Sequence, residues 1–298
     1  MTKLYGFGNA LVDIEVNVSE EILNEISIEK GSMIHIDNKQ KKDLLKTFHS
    51  KISKKFPGGS IANVLHAASS NCSKGCYSCS LGADDNKKIF LKGFNSNKIQ
   101  TFAKVSNSPT GVCLVFITPD GERTMASNLA ANKDLHPSCL NESALISSDW
   151  LIFDAFSICT PGGFATTKKA LNLANKNNLK VCFGLADINL VESNKSEILW
   201  VLSQSIDLIA GNENEISLLK DYIPINTNVL CSLGSKGCRF NSIQTKVNSN
   251  VNIVNTNGAG DALLGIFLSY IDNLKTEKAL RKAVDYATQV CQVGGPRI

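Results

Sequence analysis

The stretch of this 298-residue chain best suited to chemistry is Asn255-Thr256-Asn257-Gly258-Ala259-Gly260-Asp261, followed at once by the apolar run Ala262-Leu263-Leu264-Gly265-Ile266-Phe267-Leu268. Gly258, Ala259 and Gly260 have almost no side chain, so a ligand can approach the backbone closely. If the apolar run is a helix, its first N–H groups lack intrahelical partners, and the helix dipole favours an anion at that end. A carboxylate there would repel a phosphate unless it serves a different atom. Asp261 makes chemical sense as the base that takes the proton of an acceptor hydroxyl, while the amides stabilise charge on a transferring phosphoryl group. The plainer reading is an Asp capping a helix after a Gly-rich turn. That reading leaves unexplained why two glycines and a carboxylate precede so apolar a helix.

Other residues suit the same chemistry, each beside a plainer alternative. Asp13 lies in a strand-like run rich in Val and Ile. It is either a carboxylate that accepts from two adjacent hydroxyls or a solvated charge at a strand end. Gly58-Gly59 after Pro57 is a turn signal, but it also lets a ligand reach the backbone at a helix start, with Asn63 one turn in. Asn212 and Glu215 are three apart and share a helix face. They suit either the hydration shell of a magnesium ion or a capping box. The run from Ser232 through Gly234 and Lys236 to Gly237 is a hairpin turn or a loop that nucleotide can approach. Arg123 is a solvated charge or a ligand contact. Cys72, Cys76 and Cys79 have the spacing that radical S-adenosylmethionine enzymes use for an iron–sulfur cluster. A strand over 76–81 would send Cys76 and Cys79 to opposite faces, so core and loop thiols are expected instead.

In type and order along the chain, these segments resemble the ribokinase-like (PfkB) carbohydrate and nucleoside kinases. Gly258-Ala259-Gly260-Asp261 is similar to that family's signature. Gly8-Asn9-Ala10-Leu11-Val12-Asp13 resembles its opening strand, and Gly58-Gly59-Ser60-Ile61-Ala62-Asn63 its second substrate segment. Gly82-Ala83-Asp84, Pro109-Thr110-Gly111 and Pro119–Met125 look like its next turn and its flap strands. Asn212-Glu213-Asn214-Glu215 and Ser232–Gly237 resemble its magnesium-phosphate and nucleotide segments. The resemblance implies ATP-dependent phosphorylation of a hydroxymethyl group. It implies a catalytic role for Asp261 with Gly258, Ala259 and Gly260, and acceptor contacts from Asp13, Gly58, Gly59, Asn63 and Arg123. Nucleotide contacts would come from Asn212, Glu215, Ser232, Gly234, Lys236 and Gly237, with Mg2+ near Glu215 held through water.

Residues 8–15, 30–33 and 119–125 look most like the adenosine-kinase-like subgroup. A nucleoside is therefore the expected acceptor and a free sugar such as ribose or fructose the alternative. A non-catalytic ligand sensor and an iron–sulfur radical enzyme are the readings from other classes. Three departures bear on function. Asn255 stands where the family often has an Asp that helps bind a monovalent cation, so potassium activation is not expected. Asp154-Ala155-Phe156 and Gly184-Leu185-Ala186-Asp187 differ from the subgroup's pattern just after central strands, where open α/β sheets bind ligands.

These residues need a scaffold, and the hydrophobic pattern specifies one. Buried-type strands at 150–153, 180–183, 206–210 and 229–232 alternate with helical segments near 163–175, 195–204 and 212–221. Such alternation implies a parallel sheet covered on both faces. The expected fold is a single three-layer α/β/α sandwich over residues 1–298, with a small antiparallel β lid from segments near 10–18, 32–36 and 97–126. Hydrophobic residues are 43% of the chain and charged residues 19%, an ordinary globular balance. The net charge of +4 is scattered, which argues against a nucleic-acid binder. No apolar run is long enough for a membrane span, and the start does not read as a signal peptide, so a cytoplasmic monomer, or a homodimer through the lid, is expected. The ten cysteines then read as reduced thiols.

Overall fold

The computed structural model describes residues 1–71, 73–94, 98–248 and 251–298. Its centre is a nine-stranded sheet in the order Ile243–Thr245, Cys238–Phe240, Asn228–Ser232, Leu208–Asn212, Lys180–Gly184, Trp150–Asp154, Lys3–Phe7, Lys74–Leu81, Ile99–Val105. The strands from Asn228 to Ile99 in that order pair in parallel. The first two strands of the order add an antiparallel edge. Every residue of Trp150–Asp154 is buried, as a strand with helices on both faces requires. The core accordingly divides into two clusters on the two sides of the sheet. Cys79 belongs to one cluster and Cys76 packs against the other, so these two cysteines do face apart. Cys72 lies outside the described residues.

Two helices carry most of the site. Ala259–Tyr270 is apolar on all sides because it is buried on all sides, from Ala262 to Ser269. It packs against Ser60–Ser70, another largely buried helix. Gly265 permits this: a methyl group there would meet the Val64 carbonyl oxygen at 2.2 Å. The close crossing brings the N-terminal ends of both helices, and hence Ser60, Asn63 and Asp261, side by side.

The lid is a five-stranded sheet in the order Met33–His35, Arg123–Asn128, Gly111–Ile117, Leu11–Asn17, Ile52–Gly58. Its register places His35, Ser127, Cys113 and Asp13 in one row across four strands. Strand alternation puts that row on one face and the next row, Ile34, Ala126, Leu114 and Ile14, on the other. The second face is covered within the chain, where Phe48 packs edge-on against Phe116 at 5.4 Å between ring centroids.

Two lid expectations are corrected. Ile99–Val105 lies in the large sheet, parallel to Lys74–Leu81, not in the lid; position 97 lies outside the described residues. In its place Ile52–Gly58 forms the lid's edge, a strand whose exposed Ser53, Lys54 and Lys55 break any alternating signal. Among the described residues no helix is long and apolar enough to cross a membrane.

Candidate active site

Three cavities meet in line along the C-terminal ends of the parallel strands. The first, about 210 Å³, lies under the lid and is lined by Asn9, Asp13, Gly59, Asn63, Asp154 and Asn257, with Leu11, Met33, Met125, Leu129 and Phe156 as an apolar wall. Asp261, Ser60 and Ala186 line both this chamber and a middle one, which also holds Gly258, Gly260, Asn212 and Glu215. Gly260, Ser232 and Leu263 in turn line both the middle chamber and a groove of about 570 Å³ between Ser232–Gly237 and Val284–Cys291. Asp261 therefore stands between a lidded chamber and a chamber that opens to the larger groove.

Asp261 is held on both oxygens. Ser60 Oγ donates to Oδ1 at 2.7 Å and Asn63 Nδ2 donates to Oδ2 at 2.9 Å. Burial raises its pKa from the ordinary carboxylate value, while these two donors and the Arg297 charge act in the other direction. Gly258 is the residue before the helix and has a left-handed conformation at φ +74°. Any side chain there would also strike Pro296, whose carbonyl oxygen would lie 2.6 Å away. Gly260 differs, since a methyl group on it would meet nothing within 4 Å. Its small size keeps the middle chamber open, whereas Gly258 is needed for the backbone path. The first-turn N–H groups beside them lack intrahelical partners and suit an anion.

Asp13 is 8% exposed and weakly held by Asn257 Nδ2 at 3.5 Å. Burial pushes its pKa up to about 6, against the pull of the Arg297 and Arg123 charges and the Asn257 amide. Gly59 lines the lidded chamber, but Gly58 does not; it makes room for Asp13. Asp154, at the end of a central strand, is a site residue the sequence marked only as a departure. It is 2% exposed, and Ser157 donates from its backbone N and Oγ to Oδ1 at 2.9 and 2.7 Å. Burial raises its pKa to about 7.

Asn212 and Glu215 form the capping box. The Asn212 backbone N and Nδ2 donate to Glu215 at 2.8 and 2.7 Å, and Glu215 N donates to Asn212 Oδ1 at 2.9 Å. The pair nevertheless forms part of the middle chamber's wall. Among the described residues no cluster of three or more His, Cys, Asp or Glu side chains could hold a metal ion directly. A single carboxylate already engaged by its cap fits a hydrated Mg2+ on phosphate oxygens, not a caged one.

Besides Gly58, two residues expected at contacts lie off the cavity walls. Arg123 does not line the lidded chamber: its Nη1 donates to Asn255 Oδ1 at 3.0 Å, tying the lid to the loop before Gly258. Lys236 is exposed at the tip of its turn and is not on the groove wall, where Ser232, Gly234, Ser235 and Gly237 lie. A hydrated ammonium gains little by turning inward at such a tip. Arg297, which donates from Nε to Asn63 Oδ1 at 2.9 Å, had no motif to announce it.

The profile of the pfkB family of carbohydrate kinases matches residues 31–298. The guanosine-inosine kinase of Escherichia coli K12 is 24% identical over 224 residues; the match takes 72% of this chain and 52% of that protein. The chain thus spans about half the length of that relative. The ribokinase of Staphylococcus aureus is 25% identical over 92% of this chain and 88% of its own length. Among solved structures, the adenosine kinase from Sinorhizobium meliloti superposes with a TM-score of 0.90 at 22% identity, covering 100% of this chain and 96% of that one. The Anopheles gambiae adenosine kinase does so at 0.87 and 22%, covering 98% and 96%. With the profile match running through most of its length, the chain belongs to the pfkB family of carbohydrate kinases.

Proposed function

We propose that the protein transfers the terminal phosphoryl group of ATP to a hydroxymethyl group of a nucleoside. The observation that carries this reading is the position of Asp261, shared between the lidded chamber and the middle one. In this reading the acceptor hydroxyl lies against Asp261, whose carboxylate takes the proton as the oxygen attacks phosphorus. The backbone N–H groups at Gly260 and Asp261 stabilise charge on the phosphoryl oxygens. ATP occupies the larger groove, its phosphates directed past Gly260 into the middle chamber. Asn212 and Glu215 orient the water shell of Mg2+, which when bound offsets phosphate charge. Asp13 and Asn257 receive the acceptor's other hydroxyls.

The apolar wall of Leu11, Met33, Met125, Leu129 and Phe156 supports a nucleoside over a free sugar. A nucleobase gains from burial against such a wall, and a bare pentose offers it only hydroxyls that would lose hydration. The test is ADP release with a panel of purine nucleosides, ribose and fructose. A purine nucleoside should exceed either sugar in kcat/KM by roughly 100-fold, about the discrimination that 2.7 kcal/mol of binding provides. Equal or better use of a free sugar would replace the nucleoside reading with the sugar one. With the lid's outer face covered inside the chain, we further infer that it acts as a monomer.

A further inference from the structure

The chain segment Gly294 to Arg297 threads between three elements of the site. A methyl group on Gly295 would strike the Phe56 ring of the lid edge at 2.8 Å, and Pro296 packs on Gly258. Arg297 then reaches the helix Ser60–Ser70. Its Nε donates to Asn63 Oδ1 at 2.9 Å, its Nη1 to the Gly93 carbonyl at 3.4 Å, and its guanidinium lies 5.0 Å from the Phe94 ring centroid. Nη2 is buried and has no partner, and among the described residues Arg297 makes no ion pair. Arg297 is half-buried and its Nη2 finds no acceptor among the described residues, a cost that the Asp13 and Asp261 charges offset only from a distance. Hydrophobic packing would fill this place more cheaply, so its position needs another explanation.

The orientation of Asn63 supplies one. A primary amide can present either its oxygen or its NH2 to a neighbour. An arginine N–H can bond only to an oxygen, so Arg297 holds Oδ1 toward itself. Nδ2 is thereby turned to Asp261, to which it donates at 2.9 Å. With the amide reversed, the Asn63 oxygen would face the Asp261 Oδ2 that Nδ2 now serves, and neither could donate. We propose that Arg297 is a positioning residue for phosphoryl transfer, acting through Asn63 to fix the direction in which Asp261 meets the acceptor hydroxyl. This rests on the reading of Asp261 as the base.

The groups that share this region are Asp13 on the lid, Asp154 on the central strand, Tyr77 on Lys74–Leu81 and His66 on the helix that bears Asn63. Arg123 lies beyond Asp13. Burial and the Arg297 charge push His66 down to about 4, so it is neutral near pH 7 and adds no competing charge. Arg297 is the cation that acts on both Asp13 and Asp261. Its removal should raise the pKa of Asp261 and move the acid limb of kcat upward.

Two variants separate charge from orientation. Arg297→Met removes both. Arg297→Lys keeps the charge but loses the planar N–H directed at Asn63. We expect Arg297→Met to lower kcat by about 10-fold or more at pH 7 and to shift the acid limb up by about one pH unit. Arg297→Lys should lower kcat with the limb near its wild-type place. ATP affinity, measured by calorimetry, should stay within about two-fold in both, since the groove is formed elsewhere. Wild-type kcat and pH profile in both variants, with Asp261→Asn inactive, would overturn the role of Arg297 and leave the base assignment standing. An active Asp261→Asn would overturn both. ATP affinity falling in parallel with kcat would make Arg297 a packing residue and also overturn the proposal.

Discussion

Asp13 stands over Gly58 so closely that a methyl group on Gly58 would lie 2.2 Å from its Oδ1. The two residues sit on adjacent antiparallel lid strands, where Leu11 pairs with Gly58 and Asp13 with Phe56. The absent side chain is thus the space the carboxylate occupies, and under the proposed function Gly58 would bear on the acceptor only through Asp13. Gly58→Ala should displace Asp13 and raise the acceptor KM by about 10-fold or more, the scale of a lost charge-assisted hydrogen bond. ATP affinity should be unchanged. Asp13→Ala should do the same, and the double variant should add little to either single one. Fully additive losses would mean that Gly58 acts by some route other than Asp13.

Asp261→Asn keeps the shape and most of the hydrogen-bonding capacity of the side chain but cannot take a proton. Turnover should fall by roughly 10²–10⁴-fold, the range for a lost general base, with ATP binding intact. The measurement is steady-state turnover together with ATP calorimetry on the same preparation. Near-normal turnover would remove Asp261 from the chemistry.

Asp154 gives a stability prediction with a definite sign. Its folded pKa is raised to about 7 from the model-compound value of 3.8 because the buried site disfavours the charge. Its contribution to stability is therefore full below about pH 4 and is lost as the pH rises towards 7. Asp154→Asn removes the ionisation and keeps an oxygen for the two Ser157 donors. It should raise Tm near pH 8 by about 2–4 °C, roughly 1 kcal/mol in a chain of this size, and the gain should vanish near pH 4. A gain independent of pH, or a loss at pH 8, would show that the carboxylate is not held at a cost. The variant also tests the acceptor chamber, since Asp154 lines it.

Much of this was legible in the sequence, and the misses have physical causes. The strands at 150–153, 180–183 and 229–232 announced themselves because a parallel strand buried on both faces is a continuous apolar run. The turn at 258–261 was legible because Gly-Ala-Gly before a carboxylate has few structural uses. Ile99–Val105 resembles a lid strand in the sequence because Gly111–Ile117 and Arg123–Asn128, its successors in the chain, do lie there. Its true partner, Lys74–Leu81, is parallel, and parallel pairing leaves no hairpin signal. Ile52–Gly58 stayed hidden because Ser53, Lys54 and Lys55 keep it polar at a solvated edge. Of the two readings open for Asn212 and Glu215, the capping box is what the local geometry displays, and the same pair also lines the middle chamber. Arg297 could not be seen at all: a lone Arg acquires meaning only from Asn63, 234 residues away.

The covered outer face of the lid makes a prediction about assembly. Val12, Ile14, Val16, Leu114 and Phe116 share one buried cluster with Leu23, Ile28, Ile36 and Phe48 of the same chain. A second copy would have to displace those residues before it could pair lid to lid. Sedimentation at micromolar concentration should therefore give a monomer. A stable dimer whose cross-links map to the lid strands would contradict this.

The last prediction concerns monovalent cations and follows from Asn255. An Asp in this place would bring a full negative charge to a potassium ion; an amide brings only a dipole, and the attraction is correspondingly weaker. Here even that dipole is engaged. Asn255 Oδ1 accepts from Arg123 Nη1 at 3.0 Å and from Asn257 N at 2.7 Å, while Nδ2 reaches Glu15 at 3.4 Å. The guanidinium thus holds a positive charge against the loop that leads to Gly258, and that charge would repel a cation bound beside Asn255. Replacing an inert organic cation by potassium at constant ionic strength should change the initial rate by less than about two-fold. Arg123→Met removes the fixed charge and one of the two donors on Oδ1, leaving Asn257 N, and combined with Asn255→Asp it should create a potassium response that the wild type lacks. A several-fold stimulation of the wild type, left unchanged by Asn255→Asp, would show that backbone carbonyls near Thr256 already build a competent site without the side chain at 255.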